Sequence, residues 1–208
     1  MIEPLVYEGT NVPINLANIQ DPEVFLDFES ILVRLEISQL LNNLKHTRYV
    51  NDIFIIHKSL FKNIYSWGGE IRTTNVNKPE QIIGGLSIDY SNHDDIIRDV
   101  NLIQDDIDNF EWKKSHKEEN IPKIARIISA IWQVRPFIEG NTRVVCVFSY
   151  LFMRSFGLKI KPDFIGKNSK LFRNALVLAS LSDYSEYEHL EKILRDAIVT
   201  KKLNNKKK

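Results

Sequence analysis

Residues 135–143 read Arg-Pro-Phe-Ile-Glu-Gly-Asn-Thr-Arg and lie between two stretches that are apolar at helical spacing, 121–134 and 141–157. The first stretch must stop before Pro136, because the residue before a proline disfavours helix. The second starts near Asn141, so a short loop separates them. The N–H groups that open a helix have no intrahelical partner, and beside Gly140 they can hold an anion. Arg143 falls in that first turn, where its charge opposes the helix dipole; holding an anion would offset the cost. Glu139 offers a carboxylate to a magnesium ion travelling with phosphates, since magnesium usually takes one or two carboxylates and completes its shell with phosphate oxygens and water. The same letters also fit an ordinary loop capped by Asn141 with a surface arginine.

Chemistry beside a bound phosphate usually needs a proton acceptor, and Arg135 is not one. Its pKa lies above about 12, so it stays protonated and offers no lone pair. The chain has five histidines. His57 sits inside an apolar helical stretch and reads as structural. His46, His93, His116 and His189 stand in polar surroundings, and no His or Cys pair has zinc-ligand spacing. The single cysteine, Cys146, lies in the run VVCVF and reads as a buried thiol, not a nucleophile.

These residues need a scaffold, and the patterning supplies a helical one. Asp21-Pro22 reads as an N-cap followed by proline in the first turn, opening a helix with Phe25, Phe28, Ile31, Leu32, Leu35, Leu40 and Leu41 near helical spacing. Further helices are expected at about 49–66, 92–110, 121–134, 141–157, 168–180 and 185–199. Residues 70–91 change character, with β-branched residues, Pro79 and Gly84-Gly85, and read as a two-stranded hairpin or ordered flap. The expected organisation is an irregular lead-in over 1–20, one all-α domain over 21–200 of about seven to eight helices with a small β-hairpin flap, and a Lys-rich tail over 201–208.

Composition narrows the class. Apolar residues make up 43% and charged residues 26% of the 208, as in soluble globular proteins. The tail carries five lysines and no acid, so without it the formal charge of +1 becomes −4. That body offers no broad basic surface for nucleic acid. No run approaches the roughly 18 apolar residues of a membrane span, and no basic, then apolar leader opens the chain. A single cysteine fits a reducing compartment. The expectation is a cytoplasmic protein, with secretion that uses no cleavable signal left open.

The stretch PFIEGNTR resembles the signature of the Fic family, His-Pro-Phe-x-(Asp/Glu)-Gly-Asn-(Gly/Thr)-Arg. The stretch 56–78, IHKSLFKNIYSWGGEIRTTNVNK, is similar to the family's second helix and flap, and 171–194 to its closing helices. The likeness spans roughly residues 25–198. It implies the Fic fold and a protein adenylyltransferase, which moves AMP from ATP to a hydroxyl of a target protein, with ATP and Mg2+ at the site. By the resemblance, Phe137 anchors the loop, Glu139 holds magnesium, Gly140, Asn141 and Thr142 line the phosphate hole, and Arg143 contacts phosphate. The flap residues Thr73, Thr74, Asn75, Val76, Asn77 and Lys78 would pair with target backbone as an added strand.

Two departures from the family bear on the chemistry. Cys146 stands where many members have a second arginine. Arg135 stands where the family has its catalytic histidine, the general base for the attacking hydroxyl. Loss of such a base costs on the order of 10²–10⁴-fold in rate. No clean copy of the family's inhibitory glutamate helix is present, so an active form would need a separate antitoxin or a restricted target. Three readings stay open at this point: a transferase by descent that is inactive or attenuated, a protein-binding or nucleotide-sequestering protein on the same fold, or a toxic transferase into which Arg135 was introduced by engineering.

Overall fold

Helix α1 (Pro22–Asn43) starts as its letters dictate: the Asp21 carboxylate accepts from the N–H groups of Glu23 and Val24 at 3.0 and 2.9 Å, with proline in the first turn. Which face it buries is less expected. Ile31 and Leu35 face outward, whereas Glu29 and Glu36 are buried. The glutamates can be buried because they have partners: Tyr65 donates to Glu29 at 2.6 Å and Asn63 to Glu36 at 2.7 Å. Helix α2 (Asp52–Phe61) stops short of the expected residue 66, and the chain turns through Tyr65 and Trp67 to Gly68-Gly69.

Helix α3 (Ile96–Asp108) follows a 3₁₀ turn at His93–Asp95. Helix α4 (Ile121–Val134) is the hub, packing against α3, α5 (Asn141–Ser155), α6 (Ser169–Leu178) and α7 (Glu188–Ala197). Its sequence explains this: Ile121, Ile124, Ile127, Ile128, Ile131 and Trp132 are all buried and make one apolar face wide enough to meet several helices. Helix α2 packs between α1 and α5. The whole is an all-α bundle of seven α-helices among the residues that the computed structural model describes, 6–166 and 169–199. The expected Lys-rich tail, 201–208, and the first five residues of the lead-in lie outside these. No described helix is long and apolar enough to cross a membrane.

The expected two-stranded hairpin within 70–91 is corrected to an ordered flap with a single antiparallel bridge, Pro79 to Ser87, among the described residues. Pairing cannot extend past it for local reasons. Pro79 has no N–H to donate, the Lys78 N–H goes to the Ser87 hydroxyl at 3.0 Å, and Gln81–Ile83 folds into a 3₁₀ turn.

Candidate active site

The loop between α4 and α5 is held from three sides. Arg135 ends α4 in a left-handed conformation, φ 46° and ψ 62°, which is uncommon for a residue with a side chain. Arg72 pins it there. The buried Arg72 guanidinium donates to the carbonyls of Arg135 at 2.7 Å, Val134 at 3.3 Å, Thr74 at 2.7 Å and Ser91, and the Arg72 backbone N–H donates to Pro136 at 3.0 Å. One side chain thereby ties both arms of the flap to the signature loop.

From below, Phe137 is anchored in the core, its ring stacked on the His57 ring with centroids 3.8 Å apart. His57 accepts from the Gly69 N–H at its Nδ1, 2.8 Å, so its proton is on Nε2, which donates to the Glu139 carbonyl at 3.2 Å. Burial pushes its pKa from 6.5 down to about 4, more than the bond to Glu139 raises it, with the Arg143 charge adding to the fall.

From within, both polar groups of the Asn141 side chain close on Phe137: Oδ1 accepts from its N–H at 3.0 Å and Nδ2 donates to its carbonyl at 2.7 Å. The side chain therefore shapes the loop, and its bonds to Phe137 leave the Asn141 backbone N–H to face the expected anion hole. Thr142 likewise turns its hydroxyl inward, accepting from Trp132 Nε1 at 3.0 Å. Gly140, at φ 80°, admits no replacement, because a Cβ there would lie 2.4 Å from the Phe61 ring. Among the described residues no side chain caps α5, so the N–H groups at its start stay available.

These elements enclose a cavity of about 110 Å³ lined by Arg135, Glu139, Gly140, Asn141, Thr142, Arg143 and Arg173. It is far below the roughly 300–1,000 Å³ of clefts that swallow whole ligands, and fits a phosphate-sized head group. Its charges are arranged in pairs. Arg143 Nη2 meets Glu29 of α1 at 2.9 Å, with the guanidinium carbon 5.0 Å from the Phe61 ring centroid. Arg173 of α6 forks onto Glu80, Nε to Oε2 at 3.2 Å. Lys78 Nζ reaches Glu139 Oε1 at 3.3 Å, so the last of the expected target-binding residues points into the site. Arg135 has no such partner among the described residues. Only 2% exposed, it lies 5.0 Å over the Tyr90 ring, and its Nε has no hydrogen bond.

As for metals, the described residues include no group of three or more His, Cys, Asp or Glu side chains able to hold one. The cavity lining contributes one carboxylate, and Lys78 already occupies it. A resident magnesium site does not fit that donor set. Burial pushes the Cys146 thiol up to about 12, which leaves it protonated and unreactive.

The other flap residues present backbone. Asn75 is spent locally, accepting from the His93 N–H at 2.9 Å and donating to Asn92 at 3.2 Å. Among the described residues, the backbone of 73–77 has one bond, from Arg72 to the Thr74 carbonyl. A shallow groove of about 340 Å³ runs beside Asn75, Val76 and Asn77, walled opposite by residues 87–92. Arg72, Arg173 and Glu29 were not singled out from the sequence; a lone arginine or glutamate on a mixed helix or flap gives no periodic signal that it is buried.

An all-α bundle built around a phosphate-sized loop at a helix start defines a class, and comparison with known proteins says which. The profile of the Fic/DOC family matches residues 47–153, and the chain belongs to that family. It is 25% identical over 189 residues to a probable protein adenylyltransferase of Sinorhizobium fredii, covering 87% of this chain and 90% of that one. Among solved structures it shares its fold with BepC, a VirB-translocated effector of Bartonella tribocorum crystallised with AMPPNP. The TM-score is 0.73 at 19% identity, covering 95% of this chain and 97% of that one. The N-terminal Fic domain of a Bartonella quintana effector with bound ADP also gives 0.73, at 16% identity over 95% of each chain.

Proposed function

We propose that this chain is an adenylyltransferase-type Fic protein that binds ATP by its phosphates at the 139–143 loop and whose transfer step is disabled or strongly slowed by Arg135. The adenylyltransferase relative and the nucleotide-bound neighbours support the class. The observation that carries the reading for this chain is Arg135 itself: a buried guanidinium, unpaired among the described residues, beside the free N–H groups of a 15-residue helix. Such a charge is costly to bury without a counter-ion, and a phosphate in the cavity supplies one.

The same residue cannot take a proton from an attacking hydroxyl. His57 does not replace it, because Nδ1 is already accepting and Nε2 already donating. Tighter binding of ATP does not compensate, since only interactions stronger in the transition state than in the ground state speed the reaction. A magnesium ion arriving with ATP reaches Glu139 only by displacing Lys78. Residues 73–77, with their largely unpaired backbone, would take a target segment as an added strand. The single cysteine, half-buried and free, suits a reducing cell interior, whether of the producing cell or of one it is delivered to.

Calorimetric titration with ATP tests the binding step. The unaltered chain is expected to bind, and Arg135→Ala, which orphans no carboxylate, to bind about tenfold more weakly, the worth of one charged hydrogen bond. No binding by the unaltered chain, or equal binding by both, would overturn the reading.

A further inference from the structure

We propose that Lys78 takes the place of a divalent cation at this site, so that the loop binds nucleoside polyphosphates without metal; this rests on the nucleotide-binding reading above. Four cations surround the cavity, Arg135, Arg143 and Arg173 in its lining and Lys78 at its edge on Glu139. Glu29, Glu80 and Glu139 pair with three of them, which leaves Arg135 uncompensated among the described residues. Among these seven groups the balance is positive by one charge before any ligand arrives, and the buried Arg72 guanidinium beside Arg135 adds to it. A divalent cation entering it would meet that excess. It would also find its one carboxylate taken and no second acid in the cavity lining.

The Lys78 ammonium is placed to do what the metal would do. Its side chain is 33% exposed and that of Glu139 40%, so the pair sits at the cavity mouth and can open at little cost. Lysine carries a compact charge with three rotatable donors and is a common phosphate ligand. Swinging from Glu139 to an entering phosphate exchanges one anionic partner for another. The flap bridge at Pro79 and the bond from the Lys78 N–H to Ser87 keep its backbone beside the loop meanwhile. An ordinary surface ion pair would also look like this, but it would not decide whether ATP binding needs metal.

The test is titration of the full chain with ATP in EDTA and again in magnesium chloride. The unaltered chain is expected to bind in both, with dissociation constants within about threefold of each other. Lys78→Ala is expected to lose about tenfold in EDTA and less in magnesium, because Glu139 is then free for the ion. Glu139→Ala, which releases the ammonium, is expected to bind ATP more tightly in EDTA than the unaltered chain. Binding confined to magnesium, or Lys78→Ala matching the unaltered chain in EDTA, would overturn the role of Lys78 and leave the nucleotide site standing. Absence of binding in both buffers would remove the nucleotide reading and this inference together.

Discussion

His57 shows how a single buried side chain shapes the signature loop. Its neutral ring holds the Glu139 carbonyl and the Gly69 N–H and stacks on Phe137. Its folded pKa of about 4 lies below the ordinary 6.5. Between those values the unfolded chain binds a proton that the folded one refuses, so this contribution is full above about pH 6.5 and is lost as the pH falls toward 4, by about 3 kcal/mol. Urea unfolding at pH 7 and pH 4.5, compared with His57→Gln, checks this. The unaltered chain should lose more stability on acidification than the variant, in which the carboxylate titrations common to both remain; equal losses would contradict it. At this scale the sequence was informative about types and silent about directions. Glu139, Gly140 and Arg143 lie where contiguous letters place them. The inward turn of Asn141 and Thr142 depends on Phe137 and Trp132 and could not be read from spacing.

At the scale of elements, the flap and the loop are one unit because Arg72 joins them. Its fork serves four carbonyls on three segments, and an ammonium cannot reach them together. Arg72→Lys is therefore expected to destabilise the fold by about 2–4 kcal/mol, as several buried carbonyls lose their donors. Hydrogen exchange should report it locally: the amides of Arg72 and Ser91, bonded to Pro136 and Gln133, should exchange faster while those in the middle of α4 change least. Uniform change, or none, would show that the fork is not what couples them. The helices themselves were legible, α4 and α5 from long apolar stretches and α1 from its cap. The hairpin was not, because β-branched composition does not reveal that Lys78 donates to a side chain and that Gln81–Ile83 turns. The face of α1 was misleading for the same kind of reason, since Tyr65 and Asn63, which let Glu29 and Glu36 be buried, come from beyond α2.

For the whole molecule, the bundle brings α1, the α2 turn, the flap, the α4–α5 loop and α6 to one phosphate-sized cavity, each contributing a charge or a wall. The chain belongs to the Fic/DOC family, and three of the cations at its cavity pair with glutamates; the function proposed above turns on the fourth. Arg135 sits at the helix end, over Tyr90, its Nε without a hydrogen-bond partner among the described residues. The most direct measurement is transfer of label from ATP radiolabelled at the α-phosphate, with magnesium present, to proteins of a cell lysate by the unaltered chain and by Arg135→His. The account predicts that the histidine version labels itself or a target about 10²–10⁴-fold faster, the usual contribution of a general base. Equal labelling by the two would contradict it, because a proton acceptor other than residue 135 would then be at work.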